Sequence, residues 1–420
     1  MRAPRPPNRP PRCLATAAVD LRRALERAER RRALGGFALA LPLVAFLFVF
    51  FLLPIVGMLA KSVDNHELAS VMPKSAELLR TWRGVGPPPE EIVAVFAREL
   101  KEAYLRREVA VVAQRLNREQ AGWRNLILGT ARRLPDTAEG GWLATLVRLD
   151  PAWGEPAIWA GLRRAAQPWT DIFLLAAVDL ARDERDAIRP VPPEQAIYLD
   201  ILARTFWISA LVTLLCLVLG YPLAYLLASL PERWANPLLI VVLLPFWTSL
   251  LVRIAAWIVL LQREGVINDF LVRIGVLEEP VALVFNRTGV LVAMTHVLLP
   301  FMVLPLYSVM RGIPLSLTRA ALSLGATPWV AFRRVYLPLS MPGVAAGSLL
   351  VFILALGYYI TPALVGGAAD QMISYFVAFF TLHTANWGMA AALASLLLVV
   401  TLLLYWLYAR LVGIERLRLG

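Results

Sequence analysis

The chain has 420 residues, 59% of them hydrophobic and only 17% charged, yet its formal net charge is +12. Soluble globular chains run about 45–50% apolar and about 25% charged, so an ordinary soluble domain is excluded. Intrinsic disorder needs low hydrophobicity and is excluded too, and a disulfide scaffold cannot be built from Cys13 and Cys216 on separate segments.

The leader, residues 1–35, carries ten Arg against Asp20, Glu26 and Glu29. Residues 2–12 are rich in Arg and Pro and read as disordered. Residues 17–35 place Leu21, Ala24, Leu25 and Ala28 opposite many Arg, which predicts an amphipathic helix lying on membrane lipid. Spanning a bilayer core takes about 18 or more apolar residues. Six runs qualify: 36–60, 205–230, 237–261, 288–310, 343–364 and 388–409. None holds Asp or Glu, and only Arg253 and His296 sit well inside one. The first run exceeds the roughly 7–15 residues of a signal-peptide core, so 36–61 reads as a retained first helix.

Residues 62–204 form a polar stretch that reads as mostly helical. Pro87-Pro88-Pro89-Glu90-Glu91 is a helix start, with proline and acid at the positive end of the dipole. Apolar residues follow at helical spacing from Ile92 to Leu116. Trp123, Trp142, Trp153, Trp159 and Trp169 supply rings for a small core. With three histidines in the whole chain (His66, His296, His383), no metal or Ser-His-Asp constellation is discernible here. A structural or partner-docking module is the reading.

The core, 205–410, carries its orientation in its loops. The segment 311–342 has Arg311, Arg319, Arg333 and Arg334 and no acid, whereas 365–387 has Asp370 and no base. The excess of Lys and Arg marks the cytoplasmic side, so both termini, including the tail 411–420, are expected inside and 62–204 outside. The +12 is then an orientation signal and not a nucleic-acid footprint. Pro245, Thr248 and Ser249 interrupt the third run, either as a pore-lining bend or as a packed helix whose hydroxyls bond its own backbone. Arg253 is a path residue or snorkels outward. Tyr358 and Tyr359, placed in the fifth run, either stack on a cationic solute or anchor the outer interface. Gly343 and Gly347 are a close-packing pair.

Energy has no source within the chain. Carboxylates that would carry protons or sodium are missing from the runs. The three lysines, Lys61, Lys74 and Lys101, lie in no phosphate-binding loop. A partner docking on 311–342 would have to drive any pumping. That segment predicts a helix from Leu315 stopped by Gly325, then a second helix N-capped by Thr327 with Pro328 at its first position. Pro338 and Pro342 are expected to end this helix before the next span.

Arg319-Ala320-Ala321-x3-Gly325 followed by Leu337-Pro338-Leu339 resembles the coupling motif of the membrane subunits of binding-protein-dependent ABC importers. Arg319 stands where the motif has Glu, so a salt link from that Glu is lost. Within 200–410, Leu219-Gly220-Tyr221-Pro222, Leu244-Pro245-Phe246-Trp247 and Leu356-Gly357-Tyr358-Tyr359-Ile360-Thr361-Pro362 are similar to the spermidine/putrescine-type permeases. The resemblance implies an all-α polytopic membrane protein with six transmembrane helices of the type I ABC importer permease fold, and a helical periplasmic insertion between helices 1 and 2. It implies a non-catalytic inner-membrane subunit forming half of a pore for a small polar solute, a polyamine or a related compound, with opines and phosphonates as alternatives. Its implied partners are a second permease in a heterodimer, two ATPase subunits and a periplasmic substrate-binding protein. No cofactor is expected on this chain, with ATP and Mg held by the partner ATPase. Docking falls to Arg319, Ala320, Ala321, Gly325, Thr327, Pro328, Arg333 and Pro338. The translocation-path candidates are Pro245, Thr248, Ser249, Arg253, Tyr358, Tyr359 and Thr361, and no metal site is expected. A membrane scaffold working through 62–204 is the competing class.

Overall fold

Prolines decide how the apolar runs become helices. The computed structural model describes residues 39–412, apart from 85, 139, 184 and 185. The expected lipid-bound helix at 17–35 and residues 413–420 of the tail lie outside the described residues. The chain divides into two units after Ala60. The first contains helix α1, Leu39–Ala60. A π-helical turn, Phe48–Leu52, lies just before Pro54, and the Leu53 N–H donates to the Phe48 carbonyl. The widened turn makes room where the proline has no N–H to offer.

The second unit begins with eight short helices: α2 (Glu67–Val71), α3 (Pro73–Thr81), α4 (Glu90–Leu105), α5 (Val109–Asn117), α6 (Trp123–Arg133), α7 (Trp142–Leu149), α8 (Pro156–Ala166) and α9 (Ile172–Ala177). Their core centres on Phe96, Trp153 and Trp159, whose ring centroids are 5.4–5.7 Å apart. Burying the indoles requires partners for their N–H groups. Trp153 donates to Thr130 Oγ1 (2.8 Å) and Trp159 to the Trp153 carbonyl (2.9 Å). Trp123 is also buried, but Trp169 is 65% exposed and adds nothing to this core. The run from Ile92 to Leu116 breaks into α4 and α5 at Arg107, which turns left-handed (φ 61°).

A two-stranded hairpin, β1 (Leu180–Arg182) and β2 (Ile188–Pro190), follows; strands this short leave no periodic signal in the sequence. A hydrogen bond from Arg182 holds the Asp171 carboxyl below the usual carboxylate range, so this tie to α9 persists until the pH falls below that range.

Helix α10, Tyr198–Ser229, starts ahead of its apolar run, so the boundary expected at 204 falls inside a helix. Its first turn is capped from a distance. The Asp179 carboxylate accepts from the N–H groups of Ile197 (3.1 Å), Tyr198 (3.0 Å) and Leu199 (2.8 Å). Removing such a cap costs about 1 kcal/mol. Asp179→Ala is therefore expected to lower the thermal midpoint of the purified protein by a few degrees, with Asp179→Asn recovering most of the loss; an unchanged midpoint in the alanine variant would refute the capping role.

Next come α11 (Glu232–Leu243), α12 (Leu250–Leu261), α13 (Val266–Arg273), α14 (Arg287–Arg311), α15 (Leu315–Ser323) and α16 (Pro328–Leu356). The chain ends with α17 (Ile360–Val365), α18 (Ile373–Leu382) and α19 (Trp387–Val412). Five described helices are long and apolar enough to cross a membrane, and the segment Glu232–Arg273 makes a sixth only as a pair bent by 97°.

Three expectations need correction. The third run is broken rather than kinked: Leu244–Trp247 tightens to a 3-10 turn around Pro245, and Thr248 and Ser249 are extended before α12 begins. Pro338 and Pro342 do not stop a helix, because α16 runs through both. The π-helical turn Phe332–Tyr336 ends with the Leu337 N–H bonded to the Phe332 carbonyl, directly before Pro338, as in α1. The fifth span ends at Leu356 instead of 364, which leaves Tyr358 and Tyr359 in a break before α17.

The centre is α10, α14 and α16. A Cβ at Gly343 would stand 3.2 Å from both Leu306 Cα and the Pro305 carbonyl, and one at Gly347 would stand 2.9 Å from Met302 sulfur. Small residues let two backbones approach this closely, so the pair packs helices within this chain.

Candidate coupling surface and translocation path

The segment joining α14 to α16 is short and tightly folded. Helix α15 ends in a Schellman arrangement: Ala326 N–H bonds the Ala321 carbonyl (3.1 Å) and Gly325 N–H the Leu322 carbonyl (3.0 Å). Gly325 carries this turn at φ 89°, with nothing within 4 Å of a notional Cβ, so backbone conformation and not crowding demands glycine. Thr327 then caps α16 through its Oγ1, which accepts from Val330 N–H, and Pro328 occupies the first turn.

The motif residues share this knob. Arg319 and Ala320 are exposed, Ala321 is half-buried, and Gly325, Thr327, Pro328, Arg333 and Pro338 are exposed. Arg319 has no ion pair among the described residues. The knob also carries apolar area that the motif did not point to. Leu324 is 88% exposed, Trp329 68% and Leu315 64%. Apolar residues in a loop holding four Arg were the available sign. A cavity of about 430 Å³ opens elsewhere, among α10, α16 and α19; the one behind the knob, about 410 Å³, is lined by Thr318, Leu322, Phe332, Tyr336, Tyr225 and Met310. The knob therefore rests on aromatic side chains with free space behind it.

The path candidates divide. Pro245, Thr248 and Ser249 form the break before α12, with both hydroxyl residues exposed and Thr248 bonding the Pro245 carbonyl (3.1 Å). Arg253 follows within the first turn of α12. It is half-buried, and its Nε finds no hydrogen-bond partner among the described residues. Its charge reaches His296 and Tyr358, and Tyr358 lies beside Thr361. Thr361 is fully buried with its hydroxyl unpartnered among the described residues. So Arg253, Tyr358 and Thr361 come together at two helix breaks, while Tyr359 turns toward Tyr375 (6.2 Å between centroids). Sequence reasoning left out Trp257, whose Nε1 donates to His296 Nδ1 (3.1 Å) and thereby assigns the histidine proton to Nε2. One turn separates Trp257 from Arg253, a spacing visible in the sequence.

Residues 217–413, which include the bent pair, the knob and the last spans, match the binding-protein-dependent transport system inner membrane component family. Over 220 residues the chain is 38% identical to the spermidine/putrescine transport system permease protein PotB of Salmonella typhimurium, covering 52% of this chain and 77% of that protein. The chain belongs to this permease family. The PotB protein of Escherichia coli is 37% identical over 220 residues (52% of this chain, 80% of that protein), and that of Haemophilus influenzae 35% over 214 residues (51% and 75%). As an ABC importer permease the chain is a mostly helical, multi-pass membrane protein and a transport subunit. Helices α2–α9 precede the family match entirely.

Proposed function

We propose that the chain is one half of the pore of an ATP-driven importer of polyamines, paired with a second, different permease. Two ATPase subunits, which hold ATP and Mg, dock on the knobs formed by 315–331. A periplasmic binding protein delivers the solute, and both termini lie in the cytoplasm with α2–α9 outside. Arg319, Ala320, Ala321, Gly325, Thr327, Pro328, Arg333 and Pro338 serve the docking, and nucleotide-driven closure of the ATPases rocks the spans between two states. The observation carrying this reading is the knob itself: an apolar, doubly capped projection between α14 and α16, of the kind that marks a protein contact. The polyamine cargo is taken from the printed names of the PotB relatives. Unpaired Arg253 favours a second reading of the same class, in which the solute bears an anionic group, as phosphonates and opines do. Pro245, Thr248, Ser249, Arg253, Tyr358 and Thr361 line the route in either case.

Affinity purification of the tagged chain is expected to bring down an ATPase and a second multi-span protein. Gly325→Trp, which forces a large side chain into a left-handed backbone, is expected to cut uptake at least tenfold, taking about 1–2 kcal/mol of strain. Unchanged ATPase recovery and uptake in that variant would overturn the coupling assignment.

A further inference from the structure

Between α17 and α19 lies a row of rings that neither the knob nor the Arg253 cluster uses. The expected outer loop 365–387 contains helix α18, whose aromatic residues fall on two stripes. Phe376 and Phe380 pack against the cluster of Phe173, Ile201, Met389 and Leu393. Tyr375, Phe379 and His383, each four residues apart, share the neighbouring stripe. Tyr375 and Phe379 are stacked with centroids 6.4 Å apart, Phe379 and His383 are 5.6 Å apart, and Tyr359 continues the row 6.2 Å from Tyr375. Exposure falls along it: His383 and Phe379 are exposed, Tyr375 and Tyr359 half-buried. The row ends one residue from Tyr358 and its neighbour Arg253.

The local charge favours a cation. Residues 365–387 hold no Lys or Arg, and their one carboxylate, Asp370, is buried and occupied by Arg287 at 3.0 Å. The apolar runs hold no carboxylate either. A cationic solute crossing this half of the pore therefore meets π faces as its negative surface. The spacing suits a linear amine. An extended chain advances about 1.2 Å per bond, so ammonium groups separated by four methylenes lie roughly 6 Å apart, close to the step between successive rings.

We propose that Tyr359, Tyr375 and Phe379, with His383 at the open end, form a cation–π rail that receives a linear alkyl polyamine and hands it inward ring by ring. This rests on the polyamine reading. The test uses the full complex in proteoliposomes, with saturating putrescine-loaded binding protein, and measures putrescine taken up per ATP hydrolysed. Tyr375→Ala/Phe379→Ala should lower that ratio roughly 5- to 30-fold, and Tyr375→Phe/Phe379→Trp, which keeps both rings, should restore most of it. If the double alanine variant does not assemble, Phe379→Ala alone should lower the ratio at least twofold. An alanine variant that assembles and keeps the wild-type ratio overturns the rail. So does a ring-retaining variant as impaired as the alanine one, which would assign the loss to packing. A wild-type complex that imports a phosphonate or opine but neither putrescine nor spermidine overturns the polyamine reading and the rail with it.

Discussion

Leu324→Asp combined with Trp329→Asp is expected to strip the ATPase subunit from the purified complex. Both side chains project from the knob, 88% and 68% exposed, so neither change disturbs its internal packing. Neither residue supplies the turn itself, which is held by Gly325 and by the bonds from Ala326 and Thr327. The knob should thus keep its shape and lose its adhesion. Truncating a central contact residue typically costs about 2–4 kcal/mol of binding, and a carboxylate placed in a dry apolar contact adds its own desolvation cost. A fall in ATPase affinity of at least 100-fold is expected, read as loss of co-purification at unchanged membrane content of this chain. Retention of the ATPase at wild-type stoichiometry would sink the docking surface.

A second large effect is expected at the crossing of α14 and α16. Gly347→Ile puts a branched side chain where a single Cβ already stands 2.9 Å from Met302 sulfur and 3.1 Å from the Met302 carbonyl. The sulfur can swing away but the backbone cannot, so the helices must separate. Overpacking a tight core costs about 1–3 kcal/mol, and here the two helices also lose their contact along the Gly343–Gly347 stripe. The detergent-solubilised complex is expected to melt well below wild type and to be recovered in reduced amount. Ala346→Leu, one position away and exposed, is the control and should change neither. Equal melting of Gly347→Ile and Ala346→Leu would show that the close crossing does not hold the bundle.

These residues also mark what the sequence could express. Apolar length located every span, because hydrocarbon thickness fixes the number of residues needed. It could not reveal direction: the third run is as greasy as the others, yet it bends by 97° at Pro245. Gly325 and Thr327 disclosed the knob because a left-handed cap and an N-cap are local chemistry. Pro338 misled because a lost N–H can end a helix or widen one turn of it, and the choice rests with neighbours such as Tyr225, whose ring meets those of Phe332 and Tyr336. Arg253, Tyr358 and Thr361 were each visible as polar residues among apolar ones, but their convergence depends on two helix breaks that hydropathy does not register. The stripe on α18 was written at four-residue spacing and passed over, since ten apolar residues are too few to span.

The π-helical turn at Phe332–Tyr336 makes α16 a screw with one thread out of pitch. Everything on its N-terminal side, including Thr327 and the knob, is set in phase with the span by one surplus residue. Deleting a residue from this turn would rotate the knob by about 100° about the helix axis without touching any side chain that contacts a partner. The direction in which this permease is pushed is thus stored as a count of residues in a single turn.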